Sequence, residues 1–91
     1  MIGYQQARDL VVGTLAPRWR EGTFHLDEDA TLENDDLFVF RVGARELLVD
    51  GDLAYARFGG GVPAVLKASG RLVWIPEVRM VELAPGLRPL R

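Results

Sequence analysis

The run Leu37-Phe38-Val39-Phe40-Arg41-Val42 decides the fold. Successive side chains of an extended segment point to opposite faces, so Leu37 and Val39 share one side while Phe38, Phe40 and Val42 share the other. Both sides are apolar, the pattern of a central strand covered on each face. Upstream, residues 4–16 place Ala7, Leu10, Val11, Thr14 and Leu15 on one helical stripe, with Gln5, Arg8 and Asp9 opposite. Gly13 weakens that helix by about 1 kcal/mol relative to Ala, and Pro17 stops it. Residues 23–26 and 30–33 read as two short strand-like runs with acids between them, and their pairing is not fixed by the sequence. Downstream, residues 45–49 fit a helical turn or an edge strand equally before the Asp50-Gly51-Asp52 turn. After Gly59-Gly60-Gly61, residues 62–67 and 71–75 alternate and form a hairpin through Ala68-Ser69-Gly70. Pro76 permits a short helix over residues 77–83, although a strand fits the same letters. The tail, 85–91, reads as loose behind Pro85-Gly86.

The expected fold class is therefore α+β: an N-terminal helix packed on a small antiparallel sheet of about four to five strands, closed by a short C-terminal helix or strand. Phe40, Val65, Leu72, Leu10 and Val11 are expected to form one core. The 91 residues amount to one domain, 1–91. With 48% hydrophobic and 26% charged residues the balance is that of a folded chain. There is no cysteine for a disulfide framework. The start, Met1-Ile2-Gly3-Tyr4-Gln5-Gln6, has neither a basic nor an apolar leader region, so a cytoplasmic address is expected. No apolar run approaches the roughly 18 residues of a membrane span.

The inventory argues against catalysis. The chain has one Ser (Ser69), one His (His25), one Lys (Lys67) and no Cys, so a nucleophile and its base have few sources. The glycine triplet lacks the Gly-Lys-Ser/Thr ending of a phosphate loop and leads into a strand, so positive φ or close backbone packing explains it better. Asp27-Glu28-Asp29 opens like a calcium loop, but Leu32 and Phe38 stand where Gly and Glu are needed. His25 has no second His or Cys nearby for a zinc site. Neither a metal nor any other cofactor is expected. Net charge is −2 and no nucleic-acid motif is present, so nucleic acid is not an expected partner, and neither is a membrane.

The charge is unevenly spread. Residues 21–52 hold ten acids against Arg41 and Arg45, a net of −8, while the remainder holds three acids against nine bases, a net of +6. Asp27, Glu28, Asp29, Asp35 and Asp36 are candidates to steer a basic partner. Tyr55, Arg57 and Phe58, beside the glycines, are candidate anchors. No catalytic or metal-binding residue is assigned.

The ordered segments Asp29-Ala30-Thr31-Leu32-Glu33, Leu37-Phe38-Val39-Phe40, Leu47-Leu48-Val49-Asp50-Gly51-Asp52, Gly60-Gly61-Val62-Pro63-Ala64-Val65-Leu66 and Ser69-Gly70-Arg71-Leu72 resemble the immunity protein 35 family, also called the YrhB-like domain, over about residues 4–83. Phe38 stands where that family usually has Trp, Gly61 where it has Asn, and Val49-Asp50-Gly51-Asp52 where it has Glu-Thr-Gly-Asp. The resemblance implies a bacterial α+β protein encoded beside a polymorphic toxin gene, which binds the cognate toxin and neutralises it by stoichiometric occlusion. A small-ligand or homodimeric binding module, with a pocket lined by Trp74 or Phe40, and a chaperone-like accessory protein with exposed apolar patches are the rival readings.

Overall fold

The computed structural model describes residues 1–56 and 61–90. Helix α1 (Tyr4–Leu15) ends in a 3-10 turn at Ala16–Arg18, where Pro17 forbids continuation. Strands β1 (Phe24–Glu33) and β2 (Leu37–Ala44) follow, then a single helical turn, α2 (Arg45–Leu48), which settles residues 45–49 as helical. A 3-10 turn at Leu53–Tyr55 precedes strands β3 (Val62–Leu66) and β4 (Leu72–Ile75). The C-terminal segment is helical: a 3-10 turn at Glu77–Arg79 runs into α3 (Met80–Leu83), and a two-residue strand, β5 (Arg88–Pro89), closes the chain. The five strands form one antiparallel sheet in the order β4-β3-β2-β1-β5, so the architecture is α+β with the aromatic strand at its centre.

The double-faced pattern of β2 is realised as two separate cores. Phe38 and Phe40 pack with Ala7 and Val11 of α1 and with Leu26 and Val65, and Leu10, Leu15 and Leu72 lean on that cluster. Tyr4 adds its ring 6.1 Å from Phe38 and 6.0 Å from Phe40. On the other face Leu37, Val39, Ala64 and Ile75 are covered by Ala84, Met80 and Leu87 of the C-terminal segment. The expected grouping of Phe40, Val65, Leu72, Leu10 and Val11 is present, with Phe40 1% exposed. The β3–β4 hairpin turns through Ala68-Ser69-Gly70, where the Ser69 hydroxyl oxygen accepts from the Arg71 amide at 3.2 Å.

Two features depart from the sequence reading. The strand-like runs at 23–26 and 30–33 are one strand interrupted by a bulge. Asp27 sits opposite Arg41 and Leu32 opposite Val39, so residues 28–31 stand against Phe40 alone. The Asp27 carboxylate accepts from the Asp29 amide at 3.2 Å, a local turn that competes with the ladder and builds the bulge. The tail is not loose. Residues Arg88 and Pro89 pair with Glu33 and Leu32, the Leu90 amide donates to the Thr31 carbonyl at 3.0 Å, and Leu90 packs against the α1-side core. Its anchors lie far away in sequence, so local composition concealed them.

Gly61 is a glycine for a specific reason. Its φ is +75°, and a Cβ there would stand 2.3 Å from the Ile75 carbonyl oxygen. The triplet thus supplies positive φ and close backbone approach at its last member. Gly59 and Gly60 lie outside the described residues. Pro63 is buried as the second residue of β3, one step beyond the last β2 pair, Val39 with Ala64, so its missing N–H leaves no gap in that ladder.

Phe40→Ala is expected to cost on the order of 3–5 kcal/mol, since it empties the centre of the α1-side core. Thr31→Val is expected to hold or raise stability, because the Thr31 hydroxyl is buried and meets no partner among the described residues. Urea unfolding of both variants checks this. A Phe40→Ala chain unfolding at the parental midpoint would remove Phe40 from the core.

Candidate functional site

β2 outruns β3. Its pairing with β3 covers Leu37 to Val39, whereas its pairing with β1 continues to Ala44. The space beside the unmatched half is a cleft of about 650 Å³. Leu15, Arg18 and Trp19 reach it from the end of α1, Arg41 to Ala44 from β2, Leu47 and Leu48 from α2, Pro63 and Trp74 from the β3–β4 pair, with Tyr55 and Glu77 at its margins.

One of its aromatic walls is tied in place. The Trp19 indole N–H donates to the Glu21 carbonyl at 2.8 Å, and the ring stands edge-on to Phe24 with centroids 5.4 Å apart. Trp74, paired across the hairpin with Pro63, remains 50% exposed. Tyr55 lies against the Gly22 turn: a Cβ on Gly22 would come within 2.9 Å of the ring and 2.6 Å of the Glu46 carboxylate. That carboxylate accepts from the Thr23 amide with both oxygens, at 2.9 and 3.0 Å, and so ties α2 to the start of β1. The Arg45 amide donates to the Thr23 carbonyl at 2.7 Å and completes the joint.

Some of the described bases are held in ion pairs. Arg8 holds Glu28, which also accepts from the Tyr4 hydroxyl. Lys67 holds Glu33 at 2.9 Å with its ammonium 4.6 Å above the Phe38 ring, and Arg88 reaches Asp35 at 3.5 Å. Arg18, Arg20, Arg41, Arg45 and Arg71 have no carboxylate within 4.0 Å among the described residues, although Asp27 is the cross-strand neighbour of Arg41.

The acidic candidates are therefore not one surface. Asp27, Glu28 and Asp29 belong to the β1 bulge, with Glu28 turned toward α1. Asp35 and Asp36 sit in the β1–β2 turn, where the Asn34 side chain accepts from the Asp36 and Leu37 amides. Tyr55 is at the cleft, at the opposite end of β2 from that turn. Arg57 and Phe58 lie outside the described residues. The sequence reading named Trp74 as a wall of a rival ligand pocket but did not join it to Trp19, Arg18 and Arg41, because their gathering around one cleft depends on the unequal pairing of β2 with β1 and β3.

His25 pairs with Gly43 at one end of the sheet, while Ser69 turns the hairpin at the other. About 20 Å of strand separates them, too far for a nucleophile and its base. Among the described residues no group of three His, Asp or Glu side chains could hold a metal ion, and no helix is long and apolar enough to cross a membrane. A smaller hollow of about 280 Å³ between Met80 and Leu87 is lined by apolar groups, with Val78 and Val81 exposed beside it. Compared with protein-family models, curated protein sequences and solved structures, the chain matches none.

The Thr23 amide holds the Glu46 carboxyl below the usual carboxylate range, with Arg45 assisting. Folding thus favours the ionised form. Its stabilising contribution is complete above the ordinary carboxylate range and is lost as pH falls through the lowered folded-state value. Glu46→Gln is expected to lower the thermal midpoint at neutral pH, with the gap from the parent closing in acid. A gap that persists unchanged in acid would mean that the charge contributes nothing.

Proposed function

We propose that the chain is a cytoplasmic immunity protein that binds a cognate bacterial toxin one to one and neutralises it by occlusion, without turnover of its own. The observation that carries this reading is the cleft: two Trp, a Tyr and two Arg border one hollow at one end of the sheet, and these are the residue types that dominate the energetics of protein interfaces. A stable inhibitory complex needs roughly 800 Å² per partner, centred on a few such anchors. The resemblance of the strand and turn segments to the immunity protein 35 family supplies the toxin as the partner class. The separation of His25 from Ser69 favours a binding role over a catalytic one. Acids of the β1 bulge and the β1–β2 turn steer a basic part of the toxin toward the sheet.

Co-expression with the product of the adjacent gene tests the proposal. Parent protein is expected to restore growth and to co-elute with that product at one-to-one stoichiometry. Trp74→Ala and Arg41→Ala are each expected to weaken the complex by about ten-fold or more, chiefly by faster dissociation, while Ser69→Ala and His25→Ala retain protection. Neutralising Asp27, Asp29 and Asp35 together to Asn is expected to slow association about ten-fold at low ionic strength and to leave dissociation nearly unchanged. Absence of any complex with the neighbouring product, or loss of protection in Ser69→Ala with binding intact, would overturn the reading.

A further inference from the structure

We propose that β4 is the contact through which two copies of this chain form a symmetric dimer, their sheets joined antiparallel at Trp74 with Arg71 of each copy against Glu77 of the other. β4 is an outer strand of the sheet, and no strand among the described residues pairs with its far side. The Leu66 amide donates to the Arg71 carbonyl at 2.9 Å, which fixes the phase of the β3–β4 ladder. Residues 71, 73 and 75 thus aim their backbone groups at β3, while Leu72 and Trp74 aim theirs outward. Native sheets blunt such an edge with lysine, proline or a bulge. The opposite side of this sheet is treated in that way, since β1 carries a bulge and is covered by Arg88 and Pro89. β4 has none of these devices: its residues are Leu72-Val73-Trp74-Ile75 and its register with β3 is unbroken. Trp74 is 50% exposed, and Val78, just beyond the strand in the chain, is 94% exposed.

Self-complementarity selects a second copy as the occupant. Only residues with outward backbone groups can bond across the joint, which permits two antiparallel β4 strands to meet with Trp74 opposite Trp74. Their main chains then exchange two N–H···O=C bonds, the indoles stand side by side on one face, and Val73 meets Ile75. Arg71 lies three residues before Trp74 and Glu77 three after it, so each falls opposite the other on both sides of the two-fold axis. Pro76 stays extended, with φ −59° and ψ 131°, and carries Glu77 to the end of the strand. Both charged residues are exposed, and neither makes an ion pair within the described chain. Other arginines also lack an internal partner; Arg71 differs in having a carboxylate at the matching distance from the axis. Sliding the strands by two residues keeps the backbone bonds but sets Arg71 against Ile75, so the charges select the register. The dimer does not depend on the partner being a toxin, and two chains with two toxin molecules keep the one-to-one ratio.

Analytical ultracentrifugation of the purified chain tests this. The parent is expected to show a reversible monomer–dimer equilibrium with a Kd of about 10–100 µM, as befits a small edge contact. Arg71→Glu and Glu77→Arg are each expected to weaken the dimer about ten-fold or more, because like charges then stand opposite each other twice. The double variant, Arg71→Glu with Glu77→Arg, is expected to regain the parental Kd. An equimolar mixture of the two single variants is expected to form a mixed dimer, since one presents acids and the other bases at both positions. Trp74→Lys, which places a lysine on the edge, is expected to remain monomeric. All three positions are exposed, so the circular dichroism spectra are expected to stay parental. A parent that is monomeric up to about 1 mM would overturn the proposal. So would a dimer that neither single reversal weakens, or a double variant as weak as the singles. A parent that dimerises yet fails to protect against the neighbouring gene product would overturn the immunity function and leave the dimer standing, and a strictly monomeric chain that protects would do the reverse.

Discussion

Everything in this small domain answers to one constraint: β2 has no polar face. A strand whose Leu37 and Val39 point one way and whose Phe38 and Phe40 point the other must be buried twice, once against a helix and once against something else. Helix α1 supplies the first cover with Ala7 and Val11. The second comes from α3 and the turn that follows, through Met80, Ala84 and Leu87. β2 also needs a strand on each side, which β1 and β3 provide, and the position of every other element follows from these four contacts.

Folding redistributes charge that looks segregated along the chain. The acid-rich middle and base-rich ends are joined by Arg8 to Glu28, Lys67 to Glu33 and Arg88 to Asp35. Exposed pairs of this kind add little stability, but Lys67 is mostly buried, satisfied at once by Glu33 and by the Phe38 ring. Such internal pairing is spent on the β5 side of the sheet and on the face of α1. Among the described residues Arg18, Arg20, Arg41, Arg45 and Arg71 have no carboxylate within 4.0 Å, and two of them, Arg18 and Arg41, border the cleft.

What could be read from the letters was whatever local periodicity encodes. The apolar stripe of α1, the two-faced strand, the hairpin at Ala68-Ser69-Gly70 and the need for a special backbone at Gly61 were all legible, because each depends on neighbours within a few residues. The β1 bulge was not: it arises where Asp27 caps its own turn while Arg41 and Val39 hold the ladder on either side. Nor was the docked tail, whose anchors are Thr31 and Glu33. Of the candidate anchors, Tyr55 does line the cleft, but the cleft itself exists because β2 is longer than its pairing with β3, and strand offsets are properties of pairs that no single segment declares.

The double cover also imposes an order of events during synthesis. Residues through Ile75 contain α1 and the four longer strands, enough to seal Phe38 and Phe40. The opposite face, Leu37, Val39, Ala64 and Ile75, waits for Met80, Ala84 and Leu87, and the outer edge of β1 waits for Arg88 and Pro89. A nascent chain that has emerged only that far therefore presents an oily sheet surface and an open strand edge, the combination through which incomplete domains associate with one another. The stretch from Met80 to Leu90 acts as a cover on the growing polypeptide, and the interval before it emerges is the period in which the bare sheet face is most exposed to chaperones and to its own copies.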